Sequence, residues 1–180
     1  RGLCHFVRLL AFPAALTEVV LADSQILTIY AEDAEDYYNR WVCTRRRACR
    51  HALAASVKAS EVRHLASCPD VPGDTCLVPC PAVLGMGDLQ AVELGQAAHL
   101  SVCARSGALD DATIISREEL FPRSDFFGGV CIDDFGAFEK EACGFDLDGS
   151  RLKSPDVPPG SVAPRAVERL KEGYASSNLK

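Results

Sequence analysis

The sequence predicts an α+β fold, an antiparallel sheet with helices packed on one face, and three observations lead there. A β-rich run, Ile26-Leu27-Thr28-Ile29-Tyr30, ends abruptly in acid. An apolar stretch at residues 126–138 is interrupted only by two adjacent aspartates, the pattern of a hairpin. Helical segments lie between and after these strands. At 180 residues and 48% hydrophobic content the chain suits one domain with a buried core.

In order, Leu16 to Tyr30 reads as a strand at Val19-Val20-Leu21, a turn, and a second strand at Ile26–Tyr30. That second strand runs into Glu32-Asp33-Ala34-Glu35-Asp36, four carboxylates in five residues, followed by Tyr37 and Tyr38. Residues 45–66 are mostly good helix formers, whereas Cys68 to Pro81, with four prolines and one glycine, must be a loop. A helix is expected from Asp88 to Ala104, opened by Gly85-Met86-Gly87 and capped by Asp88. Val130-Cys131-Ile132 and Phe135-Gly136-Ala137-Phe138 form the hairpin, with Asp133 and Asp134 at its tip. Beyond them, Glu139-Lys140-Glu141 is a poor central strand. After a Pro- and Gly-rich loop, Val162, Ala166, Leu170 and Tyr174 mark one face of a last helix.

Composition sets limits. A net charge of −6 argues against a strongly basic nucleic-acid-coating protein, and the acidic excess lies in residues 81–180, with ten basic and sixteen acidic side chains. No apolar run reaches the ~18 residues of a membrane span, because Pro13, Glu18 and Asp23 interrupt the most hydrophobic stretch. No secretory leader is visible. Nine scattered cysteines, an odd number, suit free thiols in a reducing, intracellular setting, cytoplasmic or nuclear.

The carboxylates suggest a chemistry. Nucleotidyl transfer uses two divalent cations, one activating a 3′-hydroxyl and one steadying the pyrophosphate. Mg2+, or Mn2+ in its place, needs hard oxygen ligands converging from separate strands. Asp33 at a strand end and Asp133-Asp134 at a hairpin tip supply that pattern. Because neighbours on a strand face opposite ways, only one of the pair can share a face with Asp33, and Asp133 is assigned to it. Ordinary turn or cap roles compete for each acid taken alone.

At this point a resemblance adds to the reading. Asp33-Ala34-Glu35-Asp36-Tyr37-Tyr38 resembles motif A of reverse transcriptases of retrotransposon type, an aspartate followed five residues later by an aromatic. Leu84-Gly85-Met86-Gly87-Asp88 resembles motif B, with Gly85 in place of the usual proline. Cys131-Ile132-Asp133-Asp134-Phe135 is similar to motif C, where an aromatic is more usual than Cys131. Order and spacing agree with a palm segment. The resemblance implies that Asp33 and Asp133 ligate the metal ions, with Asp134 in support and the Ala34 carbonyl as a further ligand. It implies a deoxynucleoside triphosphate lying over Tyr38 and beside Met86 and Gly87. Template-primer, RNA or DNA, would meet Arg45, Arg46, Arg47 and Arg50.

Several parts of such an enzyme are expected to be missing. Only 32 residues precede Asp33, so the triphosphate-gripping fingers are not expected; nor are the thumb and nuclease regions, and the motif D lysine would fall at the very end. Residues 1–180 are thus expected to be a partial polymerase domain, inactive when isolated, that works with the missing subdomains in an intact polyprotein. Three other readings compete, one of them a decayed, non-catalytic retroelement fragment that binds nucleic acid weakly and shares every motif above. Phe145-Asp146-Leu147-Asp148-Gly149-Ser150 resembles the nucleophile motif of haloacid-dehalogenase-type phosphohydrolases, with Asp146 attacking and Asp148 as acid/base. His64, Cys68, Cys76 and Cys80 would make a zinc-binding fragment, although their spacing is not a common finger pattern.

Overall fold

The computed structural model describes residues 13–85, 88, 90–117, 119–143 and 160–178. Its contacts divide the chain into two compact units, Arg1–Tyr37 with Val92–Lys180, and Tyr38–Ala91. The fold is α+β. The first unit holds strands β1 (Gln25–Asp33), β4 (Phe126–Cys131) and β5 (Asp134–Ala142), with helix α3 (Ala91–Ser106, entering from the boundary) and helix α4 (Ala163–Ser176). The second holds α1 (Arg45–Ala48), β2 (Val57–Lys58), α2 (Ala59–Val62) and β3 (Cys76–Leu77).

The main sheet is antiparallel, in the order β1-β5-β4. Along β5, Phe135, Ala137, Glu139 and Glu141 are buried while the residues between them are more open. One face is therefore a core face and the other a partly open one. On the core side α4 buries Ala163, Ala166, Leu170 and Tyr174, spaced as a helical stripe. Helices α3 and α4 approach closely at Gly173: a Cβ there would lie 2.9 Å from the Ser106 Cβ and 3.0 Å from a Val102 methyl. Only glycine permits that approach without a shift.

The central strand departs from the expectation for Glu139-Lys140-Glu141. β5 is the middle strand and runs straight through them. What makes two buried glutamates tolerable is the start of α4. The Ser161 hydroxyl donates to Glu139 at 2.6 Å, and the N–H groups of Val162 and Ala163 donate to it at 2.8 Å. A carboxylate at a helix N-terminus satisfies otherwise orphaned donors and complements the helix dipole. Glu141 receives the Thr28 hydroxyl at 2.6 Å. Burial pulls the Glu139 pKa upward, but the Ala163, Ser161 and Val162 hydrogen bonds outweigh it and the net shift is downward.

Other elements differ locally from the sequence expectation. Val19-Val20-Leu21 is not a strand: it follows a 3-10 helix at Pro13–Glu18, Val20 is largely exposed, and no strand among the described residues pairs with it. Residues 45–66 do not form one helix but break into α1, a 3-10 turn at Cys49–His51, β2 and α2. Here the Cys68–Pro81 loop competes for the backbone, since Ala59 N–H donates to the Thr75 carbonyl and Ser60 N–H to Gly73. The same loop supplies β3, which pairs with β2. Helix α3 starts at Ala91, three residues after Asp88, whose side chain accepts the Gln90 N–H at 2.9 Å.

Glu139→Ala takes the acceptor from the buried Ala163 N–H and the part-buried Val162 N–H and leaves the Ser161 hydroxyl only Glu141 at 3.3 Å, and is expected to lower the unfolding free energy by about 2–4 kcal/mol. A depressed folded-state pKa means that the stabilisation is present above the ordinary glutamate value of 4.5 and is lost as pH falls through the folded value. Urea unfolding of wild type and variant from about pH 7 to about pH 3 should therefore show the gap closing in acid.

Candidate functional site

The hairpin forms, with its turn one residue earlier than the sequence suggests. Cys131 pairs with Asp134, so the two-residue turn is Ile132-Asp133, and Asp134 is the first residue of β5. Ile132 has φ +63°, while Asp133 is not in the left-handed region. A hairpin turn with positive φ only at its first central position normally takes glycine there. A β-branched side chain in that conformation costs about 1–3 kcal/mol.

Register decides which aspartate faces Asp33. Asp33 is paired directly with Asp134 across the β1–β5 ladder, and directly opposed residues of an antiparallel pair project to the same face. The assignment of Asp133 to that place is thereby corrected: it sits in the turn, where its carbonyl accepts the Ala34 N–H at 3.2 Å. Asp133 remains beside the pair electrostatically. Desolvation raises the Asp134 pKa first, then the charges of Asp133 and Asp33 raise it further, opposed in part by His99. Ala34 itself is buried.

The row Asp33, Asp134, Cys131 runs across the three strands at one end of the open face. Behind it lies a cavity of about 400 Å³ floored by Ala31, Gly129 and Gly136 and walled by Leu16, Ile115 and Phe138. Small residues on three adjacent strands make the depression. Phe138 stacks on Phe127 at 5.5 Å and so closes its far side. Burial, with the nearby Asp134 and Asp133 charges, pushes the Cys131 thiol up, which keeps it protonated.

A buried polar cluster fastens the turn. The Gln96 side chain donates to the Val130 carbonyl at 2.9 Å and accepts the Ile132 N–H at 2.7 Å. One helical turn on, His99 Nδ1 lies 2.8 Å from the Ile132 carbonyl and Nε2 lies 2.6 Å from the Tyr174 hydroxyl. Gln96 and His99 are both fully buried. Burial lowers the His99 pKa, with the Ile132 hydrogen bond and the Asp133 and Asp134 charges acting against it. Sequence reading missed these two residues. A Gln and a His three apart in an apolar helix are a legible signal, because buried polar side chains require partners.

The other expected site residues are distributed as follows. Tyr37, not Tyr38, is the core tyrosine: it is buried and its hydroxyl donates to the Gly95 carbonyl at 2.5 Å. Tyr38 is half-buried and opens the second unit. Met86 and Gly87 lie outside the described residues, as do Asp146 and Asp148 of the phosphohydrolase reading. Arg45, Arg46 and Arg50 are exposed. Arg47 is corrected as a phosphate contact, because its guanidinium grips Asp88 at 2.5 and 2.9 Å, with His51 at 2.9 Å from the same carboxylate. Of the zinc-reading residues, the Cys68 thiol turns to the Ala59 and Pro69 carbonyls and the Cys80 thiol to that of Val78.

Among the described residues, no three His, Cys, Asp or Glu side chains converge on one metal position. The donor set at Asp33 and Asp134 still suits a hard divalent ion. It is made of carboxylate oxygens whose mutual repulsion a cation relieves, and magnesium keeps several of its waters. No helix of the described residues is long and apolar enough to cross a membrane. No family model matches the chain, and no curated protein and no solved structure matches it.

The Arg47 grip yields a check on the second unit. Hydrogen bonds from Arg47, Gln90 and His51 hold the Asp88 carboxyl well below the ordinary value of 3.8, so its stabilisation is present above that value and lost as pH falls below it. Asp88→Asn should lower the thermal midpoint at neutral pH, and the difference from wild type should shrink in acid.

Proposed function

We propose that this chain carries the palm segment of a template-directed nucleotidyltransferase, an RNA-directed DNA polymerase of retrotransposon type. The observation that supports this reading above the others is the register: strands about a hundred residues apart bring Asp33 opposite Asp134, with Asp133 in the adjoining turn. These are the aspartates of the segments that resemble motifs A and C. Asp33 and Asp134 are the residues that would hold the divalent cations, Mg2+ or Mn2+, with Asp133 beside them. Such ions, when bound, polarise phosphate oxygens and lower the pKa of an attacking hydroxyl.

The chain's own residues have separate tasks in this reading. Asp33 and Asp134 concentrate negative charge at the open end of the sheet. The small-residue floor leaves room for a substrate to approach the backbone there, and the apolar walls limit competing water. Arg45, Arg46 and Arg50 present charge to a nucleic-acid backbone, which positions a strand without reading its sequence. Tyr38 is proposed to lie under the incoming sugar, since Tyr37 is already committed to Gly95.

Because the isolated segment is expected to be inactive, primer extension on an RNA template with Mg2+ tests the proposal with these residues joined to the fingers and thumb they would work with. Asp33→Asn and Asp134→Asn are each expected to reduce extension by about a hundredfold or more, with unchanged circular dichroism. Wild-type activity that survives both substitutions, or that survives chelation of divalent ions, would eliminate it.

A further inference from the structure

The turn that carries Asp133 and leads into Asp134 is not held by strand pairing alone. Its first residue, Ile132, adopts a backbone conformation that its own side chain disfavours. Both polar groups of the Ile132 backbone are taken by α3: Gln96 accepts the N–H and His99 meets the carbonyl. A carbonyl has no proton to give, so His99 Nδ1 carries the hydrogen in that contact. In a neutral ring Nε2 is then an acceptor, and the atom placed to donate to it is the Tyr174 hydroxyl of α4. Tyr37 and Tyr174 flank the imidazole with ring centroids at 5.7 and 5.4 Å, which restrains its plane.

We propose that Tyr174, acting through His99, is a positioning residue for the Ile132-Asp133 turn: by fixing the tautomer and tilt of the imidazole it fixes the Ile132 carbonyl, and with it the direction in which the following aspartates leave the turn. Neither Tyr174 nor His99 touches a substrate. Their effect on the site is indirect, and α4 becomes part of the site's support although it contributes no ligand. The purpose assigned to the turn rests on the two-cation reading; the coupling between Tyr174 and Ile132 does not. Other groups that act on the imidazole are Tyr37 and the Asp133 and Asp134 charges beyond the turn. Among the described residues, the group bonded to Nε2 is the Tyr174 hydroxyl.

Nitrogen-resolved NMR of the whole chain without metal decides the coupling. The wild-type His99 ring should show the proton on Nδ1, and Ile132 should show the amide-to-α coupling of a left-handed residue. Tyr174→Phe, which keeps the ring and removes only the hydroxyl, should shift the His99 ring nitrogens and the Ile132 and Asp133 amides. Leu170→Val, on the same buried stripe of α4, loosens packing without touching the relay and should leave those signals in place. A proton found on Nε2 in the wild type overturns the proposal, and so does a Tyr174→Phe protein with an unchanged turn, or a Leu170→Val protein that moves it equally. The wild-type ring measurement keeps the test decisive even if Tyr174→Phe does not fold.

Mn2+ titration, followed by paramagnetic broadening, then tests the purpose. Loss of an outer support is expected to weaken Mn2+ binding in Tyr174→Phe by about tenfold. Equal affinity despite a displaced turn would overturn the positioning role. Absence of Mn2+ binding in the wild type would count against the two-cation reading and leave the ring measurement to stand by itself.

Discussion

The arrangement of the carboxylates depends on one constraint, the left-handed backbone of Ile132. At φ +63° this residue makes the chain reverse within two residues, so that Asp134 begins the return strand directly opposite Cys131. A β-branched residue accepts this conformation at a cost of about 1–3 kcal/mol. Two hydrogen bonds from Gln96 and one from His99 oppose that cost. Each buried donor or acceptor left unmet would cost about 1–3 kcal/mol, so the clamp outweighs the strain and the turn is held where an unaided isoleucine would relax. The clamp works because it is complete: Gln96 uses both ends of its amide and His99 uses both nitrogens. A half-satisfied polar network in the same place would favour another conformation.

From that turn the register follows. Since β5 is shared by both ladders, setting where it starts sets Asp33 against Asp134 on one side and Cys131 against Asp134 on the other. A slip of one residue would turn every β5 side chain over. Phe135 and Ala137 would leave the core, and Glu139 would lose the N-terminus of α4. The acidic end of the sheet is therefore specified twice, by the polar clamp at the turn and by the alternation of β5 along its whole length. The Glu139 contact shows how charge is admitted to the core face: it is placed against a helix terminus whose first N–H groups have no acceptor within the helix.

Much of this was legible in the residues. The hairpin, the strand ending at Asp33 and the two long helices follow from apolar runs and from Val162, Ala166, Leu170 and Tyr174 at helical spacing. The turn position was not legible, because Asp-Asp reads as the natural turn pair while Ile132 has the wrong shape for a left-handed residue; tertiary hydrogen bonds from a distant helix overrode local preference. The same limit explains Glu139 and Glu141, whose charge argues against a central strand until Ser161 and the α4 N-terminus are known to lie against them. Residues 45–66 failed for another reason. Their alanines and arginines favour a helix locally, but backbone partners in the following loop win at Ala59 and Ser60.

Under the proposed function, electrostatics limits how a nucleic acid would be held. The chain carries a net charge of −6, and the binding strength of nonspecific nucleic-acid contacts comes chiefly from arginine and lysine. One of the four arginines in the basic cluster is spent on Asp88, which turns it from a surface charge into a structural tie of the second unit. Arg45, Arg46 and Arg50 remain exposed, too small a set to hold a duplex by field strength in a chain of this overall sign. Binding at the carboxylate row would then depend on cations shared between the aspartates and the substrate phosphates. Divalent ions would serve recognition as well as chemistry, because Asp33 and Asp134 repel an uncompensated phosphate and attract one only through the metal.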